Sequence, residues 1–271
     1  MPKRRILMRL NTRGQQYGKC NICGEEGKLT EDHTPPKSCG GITDAELRGL
    51  HEKLAAEGER WTKPRRFQAG VCYRTLCARC NGLLGRDYDP ALAEMSRQVR
   101  AVAASSLRLP PQLRLEISPA AVTRSVLGHI AAQGIDRYQK GPLTEAFSDY
   151  ILDPDLSLPQ SLRLYYWLYP HRPQVLIRDA AFTEIGRHAP FCFWLMKFFP
   201  LAFFVTWGEP MPTSFRMTHF NDHRNLPASA VEVVYLSTRP LLPSAWPEMP
   251  DERSFILYGE QAVVAHPTPR R

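Results

Sequence analysis

The spacing of apolar residues changes character midway along the chain. In the first part, short apolar runs are broken by charge. "GGITDAELRGLHEKLAAEGER" puts Leu47, Leu50 and Leu54 on one stripe, with Thr43 or Asp44 as cap and Gly58 as stop, and predicts a helix. "RFQAGVCYRTLCARCN" predicts a strand ending in a cysteine knuckle. Asp89-Pro90 then opens a second helix, "PALAEMSRQVRAVAAS", with Asp89 expected at N-cap and Pro90 at the first helical position. "LRLPPQLRL" around Pro110 and Pro111 marks a boundary. Beyond it "VTRSVLGHIAAQGI" predicts a short helix that carries His129, expected to be half-buried. The remaining runs are aromatic and strand-like: "LRLYYWLYP", "QVLIRDAAF", "FCFWLMKFF", "LAFFVTW", "AVEVVYLS" and "SFILYGEQAVVAHP". The expected architecture is α+β: a first domain over residues 1–107 and a β-rich α+β domain over residues 112–271.

The longest apolar stretch runs from Pro190 to Trp207. Lys197 and Pro200 interrupt it, so it reads as buried core, not as a membrane span. The basic start "MPKRRILMRLNTRG" has an apolar run too short for a secretory signal. No membrane partner is expected, and a reducing cytoplasm is the expected location.

Charge sharpens the division. Of the net +8, residues 1–100 carry +7 (19 Lys+Arg against 12 Asp+Glu) and residues 101–271 carry +1 (16 against 15). A positive field concentrated in the first third suits a polyanion such as nucleic acid.

Of the seven cysteines, four form two CxxC pairs, Cys20/Cys23 and Cys77/Cys80. Thiolates from two tight knuckles can converge tetrahedrally on one Zn²⁺, so a structural Cys₄ zinc site is expected, with redox-active thiols as the alternative. The 53 residues between the pairs exceed the spacing of a zinc ribbon, so the insertion must be structured. Cys39, Cys72 and Cys192 are expected to be plain buried residues. The insertion contains "LTEDHTPPKS", with Asp32-His33, and Asn81 directly follows the second knuckle.

A first CxxC, an "EDH" followed by prolines, and "CARCN" running into a helix resemble the HNH endonuclease family, over residues 18–90. The resemblance implies a ββα-metal finger and a metal-dependent DNA endonuclease hydrolysing phosphodiester bonds by a one-metal mechanism. It implies His33 as general base, Asp32 as the metal-binding acid and Asn81 as the second ligand of a catalytic Mg²⁺ or Mn²⁺. The chemistry is compatible: a hard cation prefers oxygen ligands, and an imidazole accepts a proton near neutral pH. The family's middle asparagine has no counterpart, since residues 34–76 contain none. Adjacent strand residues face opposite ways, so Asp32 and His33 can share a site only at a strand end, which Pro35-Pro36 would supply.

Lys37, Arg79 and Arg86 are read as phosphate-binding, and "WTKPRRF" as a run along a DNA backbone or a connecting loop. Glu31 reads as a solvated turn residue and Asp87 as an assisting acid. "THFNDHR", with His219, Asp222 and His223, reads as a polar loop. The second domain is expected to select substrate, form a homodimer or bind a protein partner. Phage defence or a mobile element is the expected setting. The competing reading is a non-catalytic zinc-stapled nucleic-acid-binding protein; another makes the second domain a ligand sensor.

Overall fold

The computed structural model describes residues 8–53, 62–105, 109–138, 141–184, 186, 190–208, 217–239, 242–249, 252, 254–257, 259 and 262–268. Leu54, Gly58 and Trp61 of the sequence expectations lie outside them. The strands up to the first helix are β1 (Met8–Arg9), β2 (Tyr17–Lys19), β3 (Glu26–His33), β4 (Ala45–Gly49), β5 (Thr62–Lys63), β6 (Arg65–Phe67) and β7 (Cys72–Cys77). Helix α1 (Ala78–Leu83) follows β7 at once, passes through a π-helical turn at Leu84–Tyr88, and continues as α2 (Asp89–Ala103). Then come β8 (Gln112–Ile117), α3 (Pro119–Ala132), α4 (Pro142–Leu152), β9 (Leu162–Leu168), β10 (Gln174–Glu184), β11 (Phe191–Phe198) and β12 (Leu201–Trp207). The chain ends with β13 (Thr218–His219), β14 (Glu232–Ser237), β15 (Ser254–Leu257) and β16 (Val263–Pro267). The fold is mixed α+β, dominated by sheet.

The largest sheet has nine strands among the described residues, in the order β13-β9-β12-β11-β10-β16-β4-β6, with β15 also on β10. It draws strands from both sides of Pro110-Pro111. Its central strands are covered on both faces, which explains why they read as unbroken apolar runs rather than alternating ones. Alternation sorts the side chains all the same. Trp194, Met196, Phe203 and Val205 face the helices, while Phe193, Leu195, Phe204 and Val264 form a second core on the opposite face. The Pro190–Trp207 stretch is thus the β11–β12 hairpin. No helix among the described residues is long and apolar enough to cross a membrane.

Two expectations are corrected. The helix expected from the Thr43 or Asp44 cap to Gly58 is, over its described residues, strand β4 followed by a 3₁₀ turn at Leu50–Lys53. Ala45, Leu47 and Gly49 are buried alternately, and β4 lies between β16 and β6. The Leu47/Leu50 spacing fits a helix locally, but pairing on both strand edges overrides it. Asp89 is not the N-cap of α2. The helical path already runs through the π turn, and the Asp89 side chain turns inward.

A smaller three-stranded sheet, β2-β3-β7, carries α1 at its end. β3 and β7 are antiparallel, with Asp32 opposite Tyr73 and His33 opposite Cys72. Helix α3 packs against this sheet and against α2, and every residue of it is buried. Ser118 caps it by accepting the Ala121 N–H at 3.2 Å, with Pro119 at the first helical position. Gly128 permits the close crossing, since a Cβ there would lie 2.3 Å from Leu84 Cδ2.

Candidate functional site

The four knuckle cysteines converge. The Sγ atoms of Cys20, Cys23, Cys77 and Cys80 all lie within 4.8 Å of one another. Cys23 and Cys77 are 3.8 Å apart, matching the edge of about 3.8 Å in a tetrahedron of ~2.3 Å Zn–S bonds. Local backbone builds each half. Gly24, in the left-handed region at φ 72°, lets its N–H reach the Cys20 carbonyl at 2.8 Å. Cys77 is the N-cap of α1, its sulfur accepting the Cys80 N–H at 3.5 Å. A hydrogen bond from Cys80, against the opposing effect of burial, holds the Cys20 thiol down to about 5, while the same bond together with burial pushes the Cys80 thiol up. The cluster can hold a metal ion such as zinc.

Stapling the knuckles places α1 against β3. The Asn81 amide NH₂ donates to Thr30 Oγ1 at 2.9 Å and to the Glu31 carbonyl at 3.1 Å. Thr30 Oγ1 donates its own proton to the Leu76 carbonyl at 2.9 Å, so both Asn81 partners are acceptors and the amide orientation is fixed.

Strand β3 ends at His33, as the proline pair predicts. Its alternation separates the acid from the imidazole. Asp32 is 4% exposed and points to the helices, where its Oδ2 lies 2.8 Å from His129 Nδ1. His129 Nε2 lies 2.9 Å from Asp89 Oδ1, which also takes the Ser125 hydroxyl at 2.7 Å. His129, expected to be half-buried, is fully buried. Burial alone would lower its pKa, yet the two carboxylates raise it to about 10, so the ring is an imidazolium. For Asp89, burial works to raise the pKa, and the His129 charge overrides it to a net lowering. Nothing in the sequence reading placed Asp89 or His129 at Asp32. The available signal was Ser125 and His129, four apart on a helix whose other polar side chains are Thr123 and Arg124.

His33 faces the other way, into a cationic groove of about 490 Å³. Arg13, Lys37, Arg65 and Arg66 line it, against one lining carboxylate, Glu31. Glu31 is no free turn residue: Arg13 Nε approaches Oε1 at 2.8 Å and Arg74 at 2.9 Å. Burial would raise its pKa, and the bond from Arg74 brings it below the usual carboxylate range. Burial lowers the His33 pKa, and the Lys37 charge adds to this.

Of the three cations read as phosphate-binding, only Lys37 shares the groove. Arg79 lies 3.2 Å from Glu25, and Arg86 pairs with Asp87 at 2.7 Å, so Asp87 is committed as well. Arg65 and Arg66 of "WTKPRRF" lie in β6, not in a loop, and do line the groove. Arg13 was missed. Its place comes from a bridge to Arg74 that no local pattern announces. Cys39 and Cys72 are buried, but Cys192, expected to be buried, is exposed. The His219 ring nitrogen lies 3.9 Å from the Asp222 carboxylate, and among the described residues the cysteines form the only cluster of metal-ligating groups.

No protein-family model, curated protein or solved structure matches this chain.

Proposed function

We propose that the chain is a nuclease that hydrolyses DNA phosphodiester bonds, with His33 as general base. The observation that carries this reading is the position of His33. It ends β3 of an antiparallel strand pair leading into a helix, and it opens onto a groove lined by four cations. A phosphate drawn in by Lys37 and Arg65, with Arg13 and Arg66 alongside but paired to Glu31 and Glu46, would meet an imidazole able to take the proton of an attacking water. The guanidinium groups would offset the charge that develops on the phosphoryl oxygens. Zinc on the four cysteines would fix β3, β7 and α1 without taking part.

The expected Mg²⁺ or Mn²⁺ would supply Lewis-acid neutralisation when bound. Asp32 does not fit it as it stands, and Asn81 spends its amide NH₂ on Thr30 and Glu31, leaving only its oxygen to offer. Asp32 is almost fully buried, spends Oδ2 on His129, and lies on the face of β3 away from His33. No step is assigned to the ion. The same observation favours a second reading, a zinc-stapled nucleic-acid-binding protein without activity. Nicking of supercoiled plasmid by wild type and His33→Ala separates the two.

A further inference from the structure

A second cavity, of about 350 Å³, adjoins His33 on the side away from Arg13. Its walls are largely apolar: Pro35, Ile42 and Val71 contribute, with His33 and Lys37 at the side shared with the cationic groove. Two buried polar atoms belong to its lining residues and have no hydrogen-bond partner. They are Thr34 Oγ1, just past the end of β3, and Gln174 Oε1, at the start of β10. Both residues are at most 1% exposed. The backbone leaves room for this amide, because a Cβ at Gly41 would come within 2.7 Å of Gln174 Nε2 and 3.2 Å of Pro35 Cγ.

Orphaned buried acceptors are costly, and native proteins keep few of them. An apolar slot walled by two residues with unmet, buried hydrogen-bonding atoms suits a flat ligand with greasy faces and a polar edge. A nucleobase has that chemistry, and enzymes acting on nucleic acid commonly take bases out of the stack into such pockets. The location agrees. His33, Lys37 and the segment Gln68–Gly70 wall both the groove and the cavity, so a strand whose phosphate lies in the groove has a base beside the slot.

We propose that this cavity receives one unpaired base of the strand held in the groove, the Gln174 and Thr34 side chains turning toward it so that Gln174 Oε1 accepts a base N–H and Thr34 Oγ1 completes the edge. This rests on the nuclease reading and deepens it: the substrate is single-stranded or locally opened DNA. It also gives the large sheet, through Gln174, a part in choosing the substrate.

The test is binding, without added divalent ion, of three 12-mers: a single strand, the same sugar–phosphate strand without bases, and a duplex. The expected order puts the base-bearing single strand about tenfold above the abasic strand of equal charge, with the duplex below it. Gln174→Leu should weaken the base-bearing strand about fivefold and leave the abasic strand unchanged. Thr34→Val should act in the same sense, and carries the comparison where Gln174→Leu does not fold. Equal binding of abasic and base-bearing strands by wild type would overturn the base pocket alone, as would variants that weaken neither. Failure to bind any of the three would remove the nuclease reading itself.

Discussion

His129 Nδ1 and Asp32 Oδ2 lie 2.8 Å apart although 97 positions separate them in the chain. With Asp89 on the other ring nitrogen, the imidazolium ties β3, α2 and α3 together beneath the groove. Such a buried ionic triad is strong evidence of interdependence: removing one member leaves uncompensated charge in a dry environment. His129→Leu leaves two buried carboxylates facing each other. It should lower unfolding free energy by about 3–5 kcal/mol, read as a shift in the urea midpoint.

The same triad sets a pH dependence. The folded-state pKa of His129, about 10, lies above its ordinary 6.5. Its contribution is therefore full below pH 6.5 and is lost as pH climbs through about 10. Asp89 has the opposite sign: its pKa is depressed below 3.8, so its contribution holds above that value and disappears as pH falls beneath it. Urea midpoints should decline from pH 6.5 to 10 in the wild type, and the decline should be shallower in His129→Leu. Parallel curves would contradict the imidazolium assignment.

Metal removal should act on structure before it acts on function. Purified protein should carry one zinc per chain by elemental analysis, and Cys77→Ser should lose it along with the β3–β7–α1 unit, read as increased proteolysis there. A chain that keeps its far-ultraviolet dichroism and protease resistance without zinc would show that the four thiols are not a structural site.

Groove cations and non-groove cations should separate cleanly. Lys37→Ala and Arg65→Ala should each weaken binding of a short DNA and reduce its log–log salt slope by about 0.9. Arg79→Ala and Arg86→Ala, whose charges are matched by Glu25 and Asp87, should change neither. Equal effects from all four would make the attraction a property of net charge, not of the groove.

Local chemistry made part of this legible. CxxC spacing announced the cysteine cluster, the prolines announced the end of β3 at His33, and aromatic runs announced the sheet. What escaped depended on distant partners. Leu47 and Leu50 suit either period, and only pairing with β16 and β6 made a strand of Ala45–Gly49. Asp89 has the residue type of a cap, and only the approach of α3 turned it toward His129. Arg13 carries no local pattern at all; the strand-like bridge to Arg74 brings it to Glu31. Asp32 and His33 stayed on opposite faces because β3 keeps its alternation to its last residue.

The most direct test of the central claim is nicking of supercoiled plasmid in the presence of Mg²⁺ by wild-type and His33→Ala protein, with zinc content and dichroism measured on both. The wild type should relax the plasmid, and His33→Ala should do so at a rate at least about a hundredfold lower, with fold and zinc unchanged. Wild-type protein that retards the plasmid on a gel but leaves it intact, or a His33→Ala variant that nicks at the wild-type rate, would contradict it.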